Sequence, residues 1–231
     1  MSLSYGQIKP VDIEIVRDAF GVPHIYGKTD ADTAYGLAWV HSEDDFMTIQ
    51  KAYLAGNQLL SSYLANDGII VDFLTQFIES KKTVDELFST LSDDFIKILE
   101  AYSQGINRYA ELHPEEVLVK DLFPITPKKM LNYSFLQLFI SNGADQLVSK
   151  IISNNTVDLS NLGINDDIQG SNTFAFNNNK TKNGETYLAI NTHQPLDGPN
   201  SWYEVHLNSE EGTNILGATF AGAPCILTGV N

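Results

Sequence analysis

The spacing of hydrophobic positions changes twice along the chain. Val11, Ile13 and Ile15 alternate with Asp12 and Glu14, the period of a half-buried strand. Gly21-Val22-Pro23 interrupts the alternation and His24-Ile25-Tyr26 resumes it, which predicts a hairpin or bent strand over 11–27. From about 30 to 152 the spacing becomes helical. Asp30 or Asp32 caps a helix through Trp39, and a second helix runs from Ser42 to Leu64. Thr83 followed by Glu86 has capping-box spacing. Ser92 caps a long helix whose apolar residues Phe95, Leu99, Tyr102, Ile106 and Tyr109 share one face, and His113-Pro114 ends it. Thr126-Pro127 opens a further helix carrying Phe135, Leu136, Leu138, Phe139 and Ile140.

Residues 153–169 are crowded with Asn, Asp, Ser and Gly and offer no core. Beyond them the period is two again. Thr173 to Phe176 and Tyr187 to Ile190 flank the turn signal Lys182-Asn183-Gly184, and Trp202 to Leu207 and Ile215 to Phe220 read as further strands. Short β, a helical block, a polar linker and then β predict an α+β fold rather than an alternating one. The expected organisation is a strand and helical region over 1–152, a linker over 153–170 and the first strands of a second unit over 171–231. Residues 226–231 look like a strand and turn cut in mid-motif.

Composition removes whole classes. Hydrophobic residues make up 43% of the 231 and charged residues 19%, enough to bury a core. The net charge is −15 with only 14 Lys plus Arg, which argues against a nucleic-acid partner. Cys225 cannot form an internal disulfide, and its apolar neighbours predict a buried structural thiol. No apolar run is long enough to span a bilayer, and Met1-Ser2-Leu3-Ser4 carries no secretion signal.

Common catalytic signatures are missing: no nucleophile elbow, Walker loop, dinucleotide fingerprint or zincin helix. What remains is Gln169-Gly170-Ser171-Asn172, a Gly-Ser pair closing the polar linker and opening a hairpin. A cut between Gly170 and Ser171 would give Ser171 a free α-amine. Such an amine titrates near about 7.7–8.0, so one residue would carry both a nucleophilic hydroxyl and its general base. With the turn near 182–184, antiparallel partners sum to about 364–367. That sets Ser171 opposite 193–196, with His193 at the edge of the window.

Several blocks together resemble the penicillin acylase (penicillin amidase) family of N-terminal-nucleophile hydrolases. They are Ile15-Val16-Arg17-Asp18 through Gly21-Val22-Pro23-His24-Ile25, then Ala38-Trp39-Val40-His41-Ser42-Glu43-Asp44, then Gly170-Ser171-Asn172. Asn191-Thr192-His193 with Trp202 to Leu207, and Gly222-Ala223-Pro224 with Gly229-Val230-Asn231, complete the series in the family's order. The resemblance implies a precursor that cuts itself before the catalytic serine, sheds a spacer and becomes a two-chain enzyme with a four-layer αββα sandwich. It implies Ser171 as nucleophile and new N-terminus, Gly170 as the residue it is cut from, and His193 as the group that assists it. It places Phe135 and Phe139 at the acyl pocket and Asp145 near an acid that binds a structural calcium in some members; the chemistry itself needs no cofactor. Members act on acyl-homoserine lactones, β-lactams with an amide side chain or acylated peptides, and the sequence does not choose among these small-molecule acyl amides. The family also implies a periplasmic or secreted parent and, as partner, the remainder of the catalytic chain, where the oxyanion donors lie. Without that remainder the chain is expected to be inert and to self-associate through unpaired strand edges.

The chain departs from the family at Asp45, where an arginine is usual, in the helix around Lys51 to Ser62, and at Thr192, where a proline is usual. These departures keep a rival open, a non-catalytic binding or structural protein that retains the fold. A hydrolase using the serine in an unrelated triad is a second rival, without an acid–histidine set to support it.

Overall fold

The computed structural model describes residues 7–141 and 170–231. Asp145 and residues 153–169 of the expected linker lie outside them, as do Met1 to Ser4.

A 3-10 turn over Pro10–Asp12 takes up the start of the expected strand, so Val11 is not part of the sheet. Glu14–Arg17 (β1) and Pro23–Gly27 (β2) then form the hairpin, paired Ile15↔Ile25 and Val16↔His24. The helical block starts one residue earlier than expected. Thr29 is the cap of α1 (Asp30–Gly56) and makes a reciprocal capping box with Asp32. The two helices expected over 30–64 are one helix kinked at Asp45, whose φ of −155° and ψ of 60° are not helical. Asp45 Oδ1 accepts from Thr48 N at 3.1 Å, so Asp45 caps the second half from within. The helix stops at Gly56, and Ser61–Leu64 is a separate short turn, α2.

Next come α3 (Asn66–Phe77) and α4 (Ser80–Leu87). Thr83 lies inside α4 and donates its N–H to Glu79 O, so it caps nothing. Ser92 caps α5 (Asp93–Leu112), accepting from Phe95 N, and α6 (Pro127–Ser141) begins at the expected proline. The helices approach closely where small residues sit at their crossings. A Cβ on Gly105 of α5 would lie 2.6 Å from Tyr35 O of α1, and one on Gly56 would lie 2.3 Å from Tyr133 Cα of α6.

The second β region supplies β3 (Asn172–Phe176), β4 (Tyr187–Asn191), β5 (Tyr203–Ser209), β6 (Asn214–Thr219) and β7 (Thr228–Val230). One sheet has the order β1-β2-β5-β6-β7, and β2–β5 is its parallel pair. Its core face lies on α1: Ile25, Val205 and Leu207 are buried in one cluster with Leu37, Ile49, Tyr53, Leu99, Tyr102 and Ile106. Strand and helix come from opposite ends of the chain, so the core joins the helical block to the late strands. β3 and β4 form a two-stranded sheet of their own. Phe174, Phe176 and Tyr187 are exposed on one face of it and Leu188 and Ile190 on the other. Apolar side chains on both faces are the pattern of strands meant to be covered twice. The α+β order of the sequence reading holds.

Cys225 is a correction. It is exposed, although its carbonyl accepts from Thr219 Oγ1 at 2.7 Å. The exposure is that of the residue as a whole; burial still pushes the Cys225 thiol pKa up.

Candidate functional site

Ser171 is exposed at the base of the β3–β4 hairpin, one residue before the first ladder pair, Asn172↔Asn191. The register is one step short of the expected window. Extending the ladder sets Ser171 level with Thr192 and Gly170 level with His193. The cause is the loop. Asn177 caps a 3-10 turn over Asn178–Lys180, and Thr181 Oγ1 donates to Glu185 O at 2.6 Å, so the connection is not a tight turn centred on 182–184.

The structure still brings His193 to this point. Asn172 Nδ2 lies 2.6 Å from His193 Nε2, and a Cβ built on Gly170 would lie 3.7 Å from His193 Nδ1. Both neighbours of Ser171 therefore meet the same ring. An amide nitrogen only donates, so Nε2 accepts and the neutral ring carries its proton on Nδ1, on the Gly170 side. His193 reaches this position with a left-handed φ of 47°, its N–H donating to Asn191 Oδ1. Gly170 has a φ of 135°, which suits glycine and few other residues.

Thr192 has a structural reason of its own. Its hydroxyl accepts from Trp202 Nε1, and Trp202 stacks on Phe220 with centroids 4.1 Å apart. The indole ties the hairpin base to the start of β5 and the end of β6.

The loop leaving His193 becomes one wall of a cavity of about 430 Å³. Leu196 to Ser201 face the second half of α1 (Asp45, Thr48, Lys51, Ala52) and one stripe of α6. That stripe is Tyr133, Leu136, Gln137 and Ile140. Phe135 and Phe139 are half-buried on the same helix but do not line this cavity. Gln137 Nε2 donates to Asn200 Oδ1 at 2.9 Å and fixes loop against helix. Apolar walls with a few polar groups, at this size, suit a small organic ligand.

Asp44 takes both Arg17 nitrogens, at 2.9 and 3.0 Å, and the Tyr203 hydroxyl at 2.6 Å. Burial first, and then the bond to Asp44, push the Tyr203 pKa well up, so its proton stays. Its ring stacks flat on His41 at 3.9 Å. His41 is 3% exposed and its Nδ1 has no hydrogen-bond partner among the described residues. Burial pulls the His41 pKa down to about 4, against the opposing pull of Asp45 and Asp44. This network holds the hairpin of β1 and β2, the kink of α1 and β5 together. Arg17 and Asp44 were visible as parts of family-like blocks; the partner role of Tyr203 needed the fold.

Among the described residues, one group of side chains has metal-like convergence, His113, Glu115 and Glu116 after α5, on the molecular surface. Asp145, expected near a calcium, lies outside the described residues. No helix among the described residues is long and apolar enough to cross a membrane.

A sequence profile of the penicillin amidase family matches residues 12–231. The chain is 22% identical over 264 aligned residues to the acyl-homoserine lactone acylase PvdQ of Pseudomonas fluorescens, covering 100% of this chain and 34% of that protein. It is 25% identical over 158 residues to penicillin G acylase of Escherichia coli, covering 66% of this chain and 18% of that protein. Among solved structures, a thermostable penicillin G acylase from Alcaligenes faecalis aligns with a TM-score of 0.48 and 18% identity, over 60% of this chain and 83% of that one. The chain thus spans about a third of the length of the acyl-homoserine lactone acylases it matches.

Proposed function

Because the chain belongs to the penicillin amidase family, we propose that it is part of an amide hydrolase whose nucleophile is Ser171, made available by cleavage of the Gly170–Ser171 bond. The observation that carries this reading is the meeting of both neighbours of Ser171 with the ring of His193.

In the first step Ser171 Oγ attacks the Gly170 carbonyl carbon. The C–N bond breaks, the serine nitrogen takes the proton from Oγ, and an ester joins Gly170 to Ser171. Water hydrolyses that ester, leaving a carboxylate on Gly170 and a free amine and hydroxyl on Ser171. In turnover the same oxygen attacks a substrate amide, with the amine as base near its usual pKa of about 7.7–8.0. The leaving amine departs with the proton, and water releases the acid from the acyl-enzyme. His193, protonated on Nδ1, is placed to donate toward this segment and hold it.

The acyl group belongs in the cavity between α1, α6 and the loop that leaves His193. Its apolar lining from Ala52, Ala55, Leu60, Leu136 and Ile140 suits a hydrocarbon chain or an aryl group, with Lys51 and Asp45 at polar positions. Acyl-homoserine lactones and penicillin G are the first substrates to try, since they are what the named relatives act on. The test is stopped-flow hydrolysis of a chromogenic acyl anilide series by the complete protein. A burst of anilide at one equivalent per Ser171, absent from Ser171→Ala, supports the acyl-enzyme. Turnover that survives Ser171→Ala refutes it.

A further inference from the structure

β2 and β5 run parallel, and His24 stands level with His206. The alternation that sends Ile25, Val205 and Leu207 into the core leaves both histidines part-buried on the opposite sheet face. Their Nδ1 atoms are 3.0 Å apart. Each ring has an oxygen at its outer nitrogen. Asn214 Oδ1 is 2.8 Å from His206 Nε2, and Asp18 Oδ2 is 3.7 Å from His24 Nε2. Asp18 is itself fixed, its Oδ1 accepting from Phe20 N at 2.8 Å and Val22 N at 3.0 Å.

Asn214 Oδ1 accepts from His206 Nε2 and leaves Nδ1 of that ring a lone pair, and the Asp18 carboxylate, at ion-pair rather than hydrogen-bond distance, draws the His24 proton toward its own Nε2. The two Nδ1 atoms can share a proton as an N–H···N hydrogen bond or, with both unprotonated, converge on one cation beside the line that joins them. A carboxylate or amide oxygen on the non-ligating ring nitrogen is also the usual companion of a metal-bound histidine. With metal–nitrogen bonds of about 2.0–2.1 Å, donors 3.0 Å apart subtend nearly a right angle. That is the angle of neighbouring positions in square or octahedral geometry, which Cu²⁺ and Ni²⁺ adopt, and is narrow for tetrahedral Zn²⁺.

We propose that His24 and His206 chelate one divalent transition ion, Ni²⁺ or Cu²⁺ in preference to Zn²⁺, through Nδ1 of each ring, with water completing the sphere. Asp18 and Asn214 are positioning residues that set both tautomers. β2 lies before Ser171 and β5 after it, so the ion ties together segments on either side of the serine. The proposal does not depend on whether the Gly170–Ser171 bond is cut.

The test is calorimetric titration of the untagged 231-residue chain with Ni²⁺ at neutral pH. One ion should bind, with affinity at least tenfold lower in His24→Gln and in His206→Gln, about tenfold lower in Asp18→Asn and unchanged in His113→Gln. The last variant removes the surface group formed with Glu115 and Glu116. A second readout needs no variant: paramagnetic Ni²⁺ should broaden the ring signals of His24 and His206 before those of the other histidines. Binding unchanged in both Gln variants, binding lost in His113→Gln alone, broadening confined to other rings, or a pair that shares a proton and binds no Ni²⁺ would each overturn the proposal.

Discussion

The Tyr203 hydroxyl donates to Asp44 at 2.6 Å, and the same carboxylate holds Arg17 by both nitrogens. Through that one acid the kink of α1, the first hairpin and β5 are joined. Tyr203→Phe should cost about 1 kcal/mol, since the bond is to a charge but the carboxylate is about a third exposed. Asp44→Ala should cost more, about 2 kcal/mol, because it removes the partner of the Tyr203 hydroxyl and leaves the Arg17 guanidinium with only Gly21 O and Glu43. Urea denaturation of the two variants checks the order. Equal losses would mean that Arg17 contributes nothing through Asp44.

His41 makes stability pH-dependent. Its pKa is about 4 in the folded chain against 6.5 for the free side chain, so between these values the unfolded chain binds the extra proton. The stability that depends on a neutral His41 is fully present above pH 6.5 and is lost as pH falls toward about 4. The total is on the order of 3 kcal/mol. His41→Phe keeps a ring against Tyr203 and should flatten the curve over that window. An unchanged slope would assign the effect to other groups.

Gly56 allows α1 to end against α6. The nearest atom to an added Cβ is backbone, Tyr133 Cα at 2.3 Å, so no side-chain rotation can relieve the clash. Gly56→Ala should lose at least about 2 kcal/mol, at the upper part of the overpacking range. It should also distort the cavity wall formed by Tyr133 and Leu136. Thermal unfolding measures the first effect, and binding of a fluorescent acyl probe measures the second.

Much of the frame was legible because local chemistry decides it. Ser92 and Thr126-Pro127 start helices wherever a face can be buried, and Phe95 to Tyr109 define that face. The kink at Asp45 was not legible. The sequence pattern breaks between Trp39 and Ser42, whereas the helix runs through that point and bends at Asp45, where the cause is a side chain accepting from Thr48 N. The start of α4 was missed because it depends on Glu79 at a φ of 52° and on Ser80, fully buried, donating to Thr75 O. At the site, the Gly-Ser pair and its histidine were readable as motif. Their register was off by one because a polar loop capped by Asn177 cannot be counted as a two-residue turn. The cavity wall was unreadable, since which stripe of α6 faces α1 and Asn200 is settled by packing across the whole chain.

The central claim is that Ser171 is released as an N-terminal nucleophile by cleavage at its own peptide bond. Intact-mass spectrometry of the complete protein, with sequencing of the new N-terminus, tests it most directly. The predicted result is a chain beginning at Ser171 with a free amine in the wild type, and a single uncut chain in Ser171→Ala. Ser171→Cys should retain cleavage, because a thiolate can make the same attack. A wild-type protein that stays whole, or a Ser171→Ala protein that is cut at the same bond, would contradict the account.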